Sequence, residues 1–560
     1  MCGICGMLIC PTLSTKEKNM MLDEFYESSR KIAHRGPDRS VMITMTPPVD
    51  AVIDFKRLSI MDPSTRGDQP FRFEEGDRTV YTMCNGEIYN FRELAEEYDL
   101  KLTSGSDCEV IHLFYKKYGL MGLPEMCNKF NSEHAFAIFD VDMKTGDYKL
   151  ILSSDRYGVR PLFVGWDDQG FYFASELQGL PCLESKGAYV ERFKPRHYAV
   201  IEKKGGVLGK LEYHQYYEVK PKAIIYTDLP LCLEGIRSSL EKAVIMRLQS
   251  DKPYGCLLSG GLDSSLVSAI AARHLKTLGK TLRTFSIGMP GGTDGPYAKM
   301  VAEHIGSDHT HVEVSEKDFL DAIPHIVRAI GSYDITTVRA STAQYLISKW
   351  VSEKTDIRVL ILGDGNDELA GAYQYFHKAP SPRAFHDECV RLVEDIHLYD
   401  GLRADRCVAH WGLEARFPCL DYMYVDFYLR CDPQLRMPVD GMEKWLLRKS
   451  FDGTGLLPEK ALYRPKCAFS DGISKQERSW YQVIQEDVEK LFTTEQLEAA
   501  MKHYEHLPPV SKESLLYRTI FCDYFGSNES VAKTIPYYWL PKWCGDIKEP
   551  SARVLAHYKE

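Results

Sequence analysis

The chain begins MCGICGMLIC, which places cysteines at positions 2 and 5. Two chemistries fit this pattern. Cys2 and Cys5 form a C-x-x-C motif, which can act as a redox pair or supply half of a zinc site. Alternatively, removal of Met1 would make Cys2 the N-terminal residue, which would then carry both a thiol nucleophile and a free α-amine. No second cysteine pair with metal-ligand spacing follows, so the sequence does not complete a zinc site.

A second chemical motif, LLSGGLDSS, spans residues 257–265 and lies where a predicted strand ends and a helix begins. The two glycines allow a tight turn, and the free amides of a helix N-terminus favour an anion. Asp263 is a candidate Mg²⁺ ligand, and three serines supply hydroxyl groups. The G-x-x-x-x-G-K-[ST] pattern of a Walker A loop is absent. The motif predicts a phosphate-binding loop of another kind.

Acidic residues follow the later apolar strand RVLIL, where residues 363–368 read GDGNDE. At the carboxyl edge of a parallel sheet, such acids suit a metal ion or an amino-acid substrate, although a plain solvated loop would also tolerate them. Further along, YRPKCAFSDG (463–472) offers Lys466 as a cation for phosphates.

The elements that must position these residues change character along the chain. Short apolar and aromatic runs fill the first ~200 residues, with helical stretches near 16–34 and 106–118, which predicts an α+β domain with packed antiparallel sheets. Strands then alternate with helices, which predicts a parallel α/β sheet followed by a helical C-terminal part. We predict domains at 1–210 and 211–540 and a tail at 541–560.

Composition excludes several classes of protein. The 560 residues carry 69 Lys and Arg against 79 Asp and Glu, a net charge of −10, and no long basic run suggests nucleic acid. No apolar stretch approaches the ~20 residues that a membrane span requires, and no signal peptide is visible. We therefore expect a cytoplasmic protein whose cysteines are mostly reduced thiols.

The N-terminal half resembles the class II glutamine amidotransferase domain, an N-terminal-nucleophile hydrolase with an αββα sandwich. The resemblance rests on the opening C-G-I and on KIAHRGPD (31–38), KRLSIMD (56–62), CNGEIYN (84–90) and SGSDCEVI (104–111). It implies that Cys2 attacks glutamine while its own α-amine serves as the base. Asn85 and Gly86 would stabilise the oxyanion. The glutamine-binding residues would be Arg57, Leu58, Ser59, Ile60, Met61, Asn85, Gly86, Glu87 and Asp107, with Arg57 on the carboxylate and the two acids on the ammonium group.

The S-G-G-x-D-S motif resembles the pyrophosphate loop of ATP pyrophosphatases. This resemblance implies a domain with a doubly wound parallel sheet. Both halves in this order resemble the glutamine-hydrolysing asparagine synthetases of eukaryotic type, and the likeness continues through YDITTVRAS (333–341), GLEARFPCLD (412–421) and PSARVLAHYK near the C-terminus. It implies synthesis of asparagine from aspartate, glutamine and MgATP through β-aspartyl-AMP, with ammonia passing through an internal tunnel. It is also compatible with a homodimer.

The second resemblance also implies site residues. Asp263 and Asp367 would hold Mg²⁺, Asp367 and Glu368 would bind aspartate, Asp364 would support adenylate formation, and Lys466 would neutralise pyrophosphate. The ATP-binding residues would be Leu258, Ser259, Gly260, Gly261, Asp263, Ser264, Ile287, Leu362 and Gly363. We expect Glu414 and Arg416 to be structural.

Several positions depart from the family pattern. The family commonly has Ser, Glu and Ser where this chain has Leu362, Asp364 and Asn366, and Glu where it has Cys467. Arg196 replaces a glycine. Glu133 and His134 stand where an apolar strand is expected, and if buried they would need partners, either each other or Arg196. These changes keep an alternative open: a glutaminase or nucleotide-sensing protein with a weakened synthetase site.

Overall fold

The computed structural model describes residues 1–185, 187–466, 472–475, 478–545, 547–548 and 550. Cys467 and most of the predicted tail therefore lie outside the described residues. The chain divides into two compact units. The first contains Met1–Glu218 with the short segments Ala409–Leu413 and Asp523–Thr534, and the second contains most of the remaining chain.

The first unit is built from antiparallel strands and a few helices. Its strands are β1 (Gly3–Ile9), β2 (Arg39–Met45), β3 (Ala51–Arg57), β4 (Phe71–Glu75), β5 (Arg78–Ile88), β6 (Ser132–Asp142), β7 (Tyr148–Ser154), β8 (Phe163–Trp166), β9 (Gly170–Ala174), β10 (Tyr189–Arg192), β11 (His197–Lys204), β12 (Val207–Leu208) and β13 (Glu212–Gln215). Its first helices are α1 (Thr15–Arg30), α2 (Phe91–Glu97), α3 (Glu109–Tyr118) and α4 (Leu123–Lys129).

These strands form two sheets that share a core. One sheet has six strands in the order β10-β8-β9-β1-β3-β2, and the other follows β12-β11-β7-β6-β5-β4, with β13 added beside β11. Strand β5 shows why the layers form: Tyr81 and Met83 enter the core between the sheets, whereas Val80 and Cys84 enter the core beneath α2–α4. Helix α1 contacts β1 on the other side. The predicted αββα arrangement is confirmed.

The described part of the second unit contains five strands and most of the helices. Its strands are β14 (Tyr254–Leu257), β15 (Arg283–Gly288), β16 (Asp308–Glu313), β17 (Val359–Ile361) and β18 (Glu414–Arg416). Its helices are α5 (Leu229–Met246), α6 (Leu262–Thr277), α7 (Asp294–Ile305), α8 (Glu316–Ile330), α9 (Ile335–Lys354), α10 (Asn366–Leu369), α11 (Pro382–Asp395), α12 (Asp400–Ala409), α13 (Tyr422–Arg430), α14 (Pro433–Arg436), α15 (Trp445–Phe451), α16 (Glu459–Leu462), α17 (Trp480–Leu491), α18 (Thr494–His503) and α19 (Lys512–Phe525), the last of which runs into the first unit, where α20 (Glu529–Ala532) also lies.

The second sheet is parallel throughout, with the order β16-β15-β14-β17-β18. This is the doubly wound order 3-2-1-4-5, so the strand sequence reverses between β14 and β17. Ligands bind such sheets in the crevice beyond the carboxyl ends of the two strands at this switch point. SGGLDSS follows β14 and GDGNDE follows β17, which places the two chemical motifs side by side. The predicted α/β fold with a helical C-terminal part is confirmed.

Within the described part of the chain, every helix is too short or too polar to cross a lipid bilayer.

Candidate active sites

Cys2 lies immediately before β1 and is half-buried. The backbone N–H of Leu58 donates to its Sγ over 3.4 Å, and Arg35 Nε donates to its carbonyl oxygen over 2.9 Å. Met1 is buried, and its amine donates to the carbonyl of Leu413 over 2.9 Å. The α-amine of Cys2 therefore becomes available as a base only after Met1 is removed.

Cys5 does not form a working pair with Cys2. It is fully buried within β1, and burial raises the pKa of its thiol well above the ordinary value. Cys2 Sγ accepts from the N–H of Leu58, whereas Cys5 Sγ lies 3.9 Å from the carbonyl oxygen of Asp54, and both are free thiols. The fifteen cysteines in the described ranges are all free thiols, and no three metal-binding side chains there are grouped as a metal site. The redox and zinc interpretations have no support in these residues.

Asn85 and Gly86 lie near the end of β5 and have the properties of an oxyanion hole. Asn85 is fully buried, and neither polar atom of its side chain has a hydrogen-bond partner. A buried amide without a partner costs free energy, which is recovered if a ligand supplies the acceptor. Gly86 has a φ of +149°, and a Cβ there would collide with the backbone carbonyl of Glu133. The site therefore requires glycine at this position.

The predicted ammonium-binding acids converge at the same strand end. Asp107 precedes α3, and its Oδ2 accepts a hydrogen bond of 2.6 Å from the backbone N–H of Ile88. This brings Asp107 beside Glu87, which is also buried. Two buried carboxylates next to the unpartnered Asn85 amide suit a ligand that carries both an ammonium group and a carbonyl oxygen.

Arg57, predicted to bind the glutamine carboxylate, is surrounded by the loop that follows it. Its Nη1 donates to the carbonyl of Ser64 over 2.8 Å and forms an ion pair with Asp68, while its Nη2 bonds the carbonyls of Met61 and Asp62. The predicted neighbours Leu58, Ser59, Ile60 and Met61 form the first part of this loop and are all buried. In this structure Arg57 organises the loop, and its contact with glutamine stays a prediction.

The structure gives Glu133 and His134 partners that the sequence analysis did not name. Glu133 is 1% exposed and forms an ion pair of 2.8 Å with the fully buried Arg160. His134 instead bonds Ser132 Oγ at 2.8 Å through its Nδ1 and Ser153 Oγ at 3.4 Å through its Nε2. Arg196 Nη1 donates to the backbone carbonyl of Arg156 over 3.1 Å. The two residues lie on opposite faces of β6, which prevents them from pairing with each other.

The SGGLDSS loop of the second unit is stabilised by its own serines. Ser259 Oγ and Ser264 Oγ lie 3.0 Å apart, and Ser264 Oγ donates to the carbonyl of Gly261 over 3.2 Å. Gly260 has a φ of +77°, and a Cβ there would collide with the backbone of α7. The loop thus presents the N-terminus of the 16-residue helix α6 with its amides toward the sheet edge.

The second loop lies directly on the first. A Cβ on Gly363 would lie 2.6 Å from the backbone nitrogen of Ser264, so only glycine permits this approach. The two loops and the segments around them line one cavity, formed by Leu257, Ser259, Gly261, Leu262, Asp263, Ser264, Asp294, Gln344, Gly363, Asp364, Asp367, Arg403, Glu443, Lys444, Arg448, Arg464, Pro465 and Lys466.

Four charged side chains of this cavity form a connected group. Lys466 Nζ donates to Asp367 Oδ2 over 2.5 Å, and Lys444 bridges Asp367 and Asp263. Burial opposes ionisation of Asp367, but the two ammonium groups prevail and hold the pKa of its carboxyl well below the usual range. We call Asp263, Asp367, Lys444 and Lys466 the charge quartet.

Other predicted residues of this site lie behind the cavity wall. Four of them are buried and do not line the cavity: Leu258, Ile287, Leu362 and Glu368. Gly260 does not line it either. Glu368 accepts a hydrogen bond from Tyr373 Oη over 2.5 Å, and burial beside Asp400 raises the pKa of its carboxyl well above the ordinary value. Glu368 is thus bonded within the protein, and its predicted contact with aspartate stays a prediction.

Two further sequence features are structural. Asn366 is fully buried, and its side chain bonds Cys419 Sγ and Tyr424 Oη, so it faces away from the cavity. Arg416 Nε donates to Glu414 Oε1 over 2.8 Å, and both side chains are buried, in agreement with the structural role expected for this pair.

Sequence reasoning missed most of the cations in the cavity. Lys444, Arg403, Arg448 and Arg464 all line it, together with Asp294, Gln344 and Glu443. Arg464 stands in YRPKCAFSDG, two positions before Lys466, whereas Lys444, Arg403 and Arg448 stand in segments that the recognised motifs do not cover. A lone Lys or Arg in such a segment is usually a surface charge, so no local signal separates these residues from the others.

The comparisons with known proteins agree with this geometry. A family model described as a glutamine amidotransferase domain matches residues 1–202, and one described as asparagine synthase matches 235–386 and 379–534. Asparagine synthetase (glutamine-hydrolyzing) of Gallus gallus is 39% identical over 95% of this chain and 96% of the relative. The probable enzyme of Acanthamoeba polyphaga mimivirus is 39% identical over 94% and 95%, and that of Homo sapiens is 37% identical over 95% and 96%. Since two family models together span most of the chain and these relatives align along nearly all of it, the chain belongs to the asparagine synthase family and has an N-terminal glutamine amidotransferase domain.

Proposed function

We propose that this protein synthesises L-asparagine from L-aspartate and ATP with nitrogen from L-glutamine, and releases AMP, pyrophosphate and glutamate. The observation that carries the proposal is the meeting of two loops at the switch point of the parallel sheet. Asp263 from one loop and Asp364 and Asp367 from the other line the same cavity as Lys466. A helix N-terminus for phosphates and carboxylates for a metal and an amino acid are thus present together.

In the first half-reaction, Cys2 Sγ attacks the side-chain amide carbon of glutamine, and the α-amine exposed by loss of Met1 accepts the thiol proton. The amide of Asn85 and the N–H of Gly86 donate to the oxyanion. The unpartnered Asn85 side chain supports this role, because a donor without an internal partner is free to serve the ligand. Ammonia leaves, and water hydrolyses the thioester to glutamate.

In the second half-reaction, the β-carboxylate of aspartate attacks the α-phosphorus of ATP, and β-aspartyl-AMP and pyrophosphate form. The amides at the start of α6 and the ammonium of Lys466 balance the charge of the departing pyrophosphate. Asp364 lies beside the reacting centre. Ammonia then attacks the acyl carbon and displaces AMP. In this proposal Leu258, Gly260, Ile287 and Leu362 support the nucleotide from behind the wall of the cavity.

The residues present fit a magnesium ion. Asp263 Oδ1 is buried without a hydrogen-bond partner, and Asp367 is held ionised in the same cavity. Proteins commonly bind Mg²⁺ through one or two carboxylates together with substrate phosphates, which matches this pair. When bound, the ion would neutralise charge on the phosphates. Asp263 and Asp367 are the residues that would hold it.

The test is to measure all the products that the purified protein forms from defined substrates. With ATP, aspartate and glutamine, we expect asparagine, AMP, pyrophosphate and glutamate; with ammonia instead of glutamine, we expect the first three. Glutamate without AMP would identify the alternative, a glutaminase with a weakened synthetase site. Nucleotide binding without either product would identify a nucleotide-sensing protein. Either outcome would overturn the proposed synthetase activity.

A further inference from the structure

Lys444 occupies an unusual position in the charge quartet. It directly precedes α15 with a φ of +55°, a left-handed conformation that non-glycine residues seldom adopt. Its side chain is 2% exposed, and its Nζ bonds Asp263 Oδ2 and Asp367 Oδ1. Backbone strain at a ligand site persists only when the surrounding contacts require it. The contacts of Lys444 here are its ion pairs with Asp263 and Asp367.

The quartet is electrically balanced without any ligand. Two carboxylates face two ammonium groups, and Lys466 contacts the second oxygen of Asp367. Lys444 is thus the cation, among the described residues, that joins both carboxylates. Without it, two partly buried carboxylates would repel each other across the cavity, because Coulomb repulsion is strong at such short range.

We propose that Lys444 is a built-in counter-ion that holds Asp263 and Asp367 together in the nucleotide-free protein and excludes free Mg²⁺ from them, so that the metal enters only with the nucleotide. Mg²⁺ alone would add positive charge to a neutral, largely buried group that already holds two ammonium ions. ATP brings several negative charges, to which Lys444 and Lys466 can turn while the carboxylates accept the metal. This inference rests on the proposed function, since it takes MgATP as the ligand of the cavity.

The first measurement uses the wild-type full-length protein. Isothermal titration calorimetry is carried out with Mg²⁺ alone, and again with Mg²⁺ in the presence of ATP. We expect no binding of Mg²⁺ alone at concentrations that saturate the protein when ATP is present. Tight binding of Mg²⁺ alone would overturn the inference while leaving the proposed function intact. If MgATP itself does not bind, the proposed function fails.

The second measurement uses Lys444→Met, which removes the charge with little change in volume. We expect affinity for Mg²⁺ alone to rise by at least about tenfold, because a nearby positive charge is removed. Lys444→Arg keeps the charge and is expected to show no rise. Lys449→Met is the matched control, since Lys449 is 43% exposed and pairs with Asp452 away from the cavity. An unchanged affinity in folded Lys444→Met would contradict the inference, and if that variant does not fold, the wild-type titration decides.

Discussion

Arg403 Nη2 donates a hydrogen bond of 2.8 Å to Asp364 Oδ1. The same guanidinium bonds Asp400 Oδ1 at 2.5 Å through its Nε and Gln344 Oε1 at 2.6 Å through its Nη1. Burial raises the pKa of the Asp364 carboxyl, and the charge of Arg403 acts against that rise. Asp364 is therefore held in one orientation by Arg403, whose guanidinium is itself held by its bonds to Asp400 and Gln344.

The first prediction concerns the length of Asp364. It is one methylene shorter than the glutamate of the family pattern, which draws the carboxylate back by ~1.5 Å. A misplacement of ~1 Å can cost on the order of 10²-fold in rate. We expect Asp364→Glu to raise the rate of aspartate-dependent pyrophosphate release with ammonia as the nitrogen source, and Asp364→Ala nearly to abolish it. Asp452→Ala, at an exposed ion pair, is the control. If alanine is tolerated at 364, Asp364 has no part in activating aspartate.

The second prediction concerns the nucleophile. Cys2→Ala should reduce glutamine hydrolysis and glutamine-dependent synthesis by at least about 10³-fold, because the attacking thiol is removed. Synthesis from free ammonia should persist, since it does not need this step. Glutamate and asparagine are measured separately. Cys5→Ala is the matched control and should retain both activities, and intact mass of the wild-type protein should show loss of Met1. Near wild-type glutaminase activity in Cys2→Ala would show that Cys2 is not the nucleophile.

The third prediction concerns the buried pair of Glu133 and Arg160. Glu133→Gln removes one charge of a buried ion pair, which typically costs about 3–5 kcal/mol. We expect the midpoint of thermal unfolding of the affected unit to fall by at least about 6 °C. Glu74→Gln serves as the control, because the pair of Glu74 and Arg72 is more than half exposed and such pairs contribute about 1 kcal/mol or less. Equal shifts in the two variants would mean that the buried pair does not stabilise the fold.

The fourth prediction concerns His134 and pH. Burial lowers the pKa of His134 from 6.5 to about 3, and the charge of Arg156 acts in the same direction. The unfolded chain therefore binds a proton at this residue below pH 6.5 that the folded protein rejects. The contribution of neutral His134 to the free energy of unfolding is therefore complete above about pH 6.5 and is lost as the pH falls toward 3. Between pH 7 and 4.5 this amounts to about 2–3 kcal/mol.

The variant His134→Phe tests this sign. It removes the titrating ring but keeps an aromatic side chain beside Phe130 and Phe136. We expect the wild-type unfolding midpoint to fall more steeply between pH 7 and 4.5 than that of the variant, by about 5 °C or more. The readout is the difference between the two pH profiles, so any constant loss of stability from the missing serine bonds cancels. Parallel profiles would contradict the assignment of His134 as a neutral buried histidine.

The sequence alone determined those features of this protein that depend on residues close together in the chain. Cys2 is recognisable because it is adjacent to the start methionine, and the SGGLDSS and GDGNDE loops are recognisable because glycines, acids and hydroxyls cluster at the ends of apolar strands. Alternating apolar residues, as in β5, also predict the layered sheets. Each of these signals depends on residues close together in the chain, where spacing carries physical meaning.

The tertiary structure decided how the charges are paired. Lys444 reaches Asp263 across 181 positions of sequence, Arg403 reaches Asp364 across 39, and Arg160 reaches Glu133 across 27. No local pattern encodes such partners, because an ion pair depends on distance in space and on burial, which only the folded chain sets. For the same reason Glu368 bonds Tyr373 and Arg57 holds its own loop, although both stand in motifs from which the sequence predicted ligand contacts.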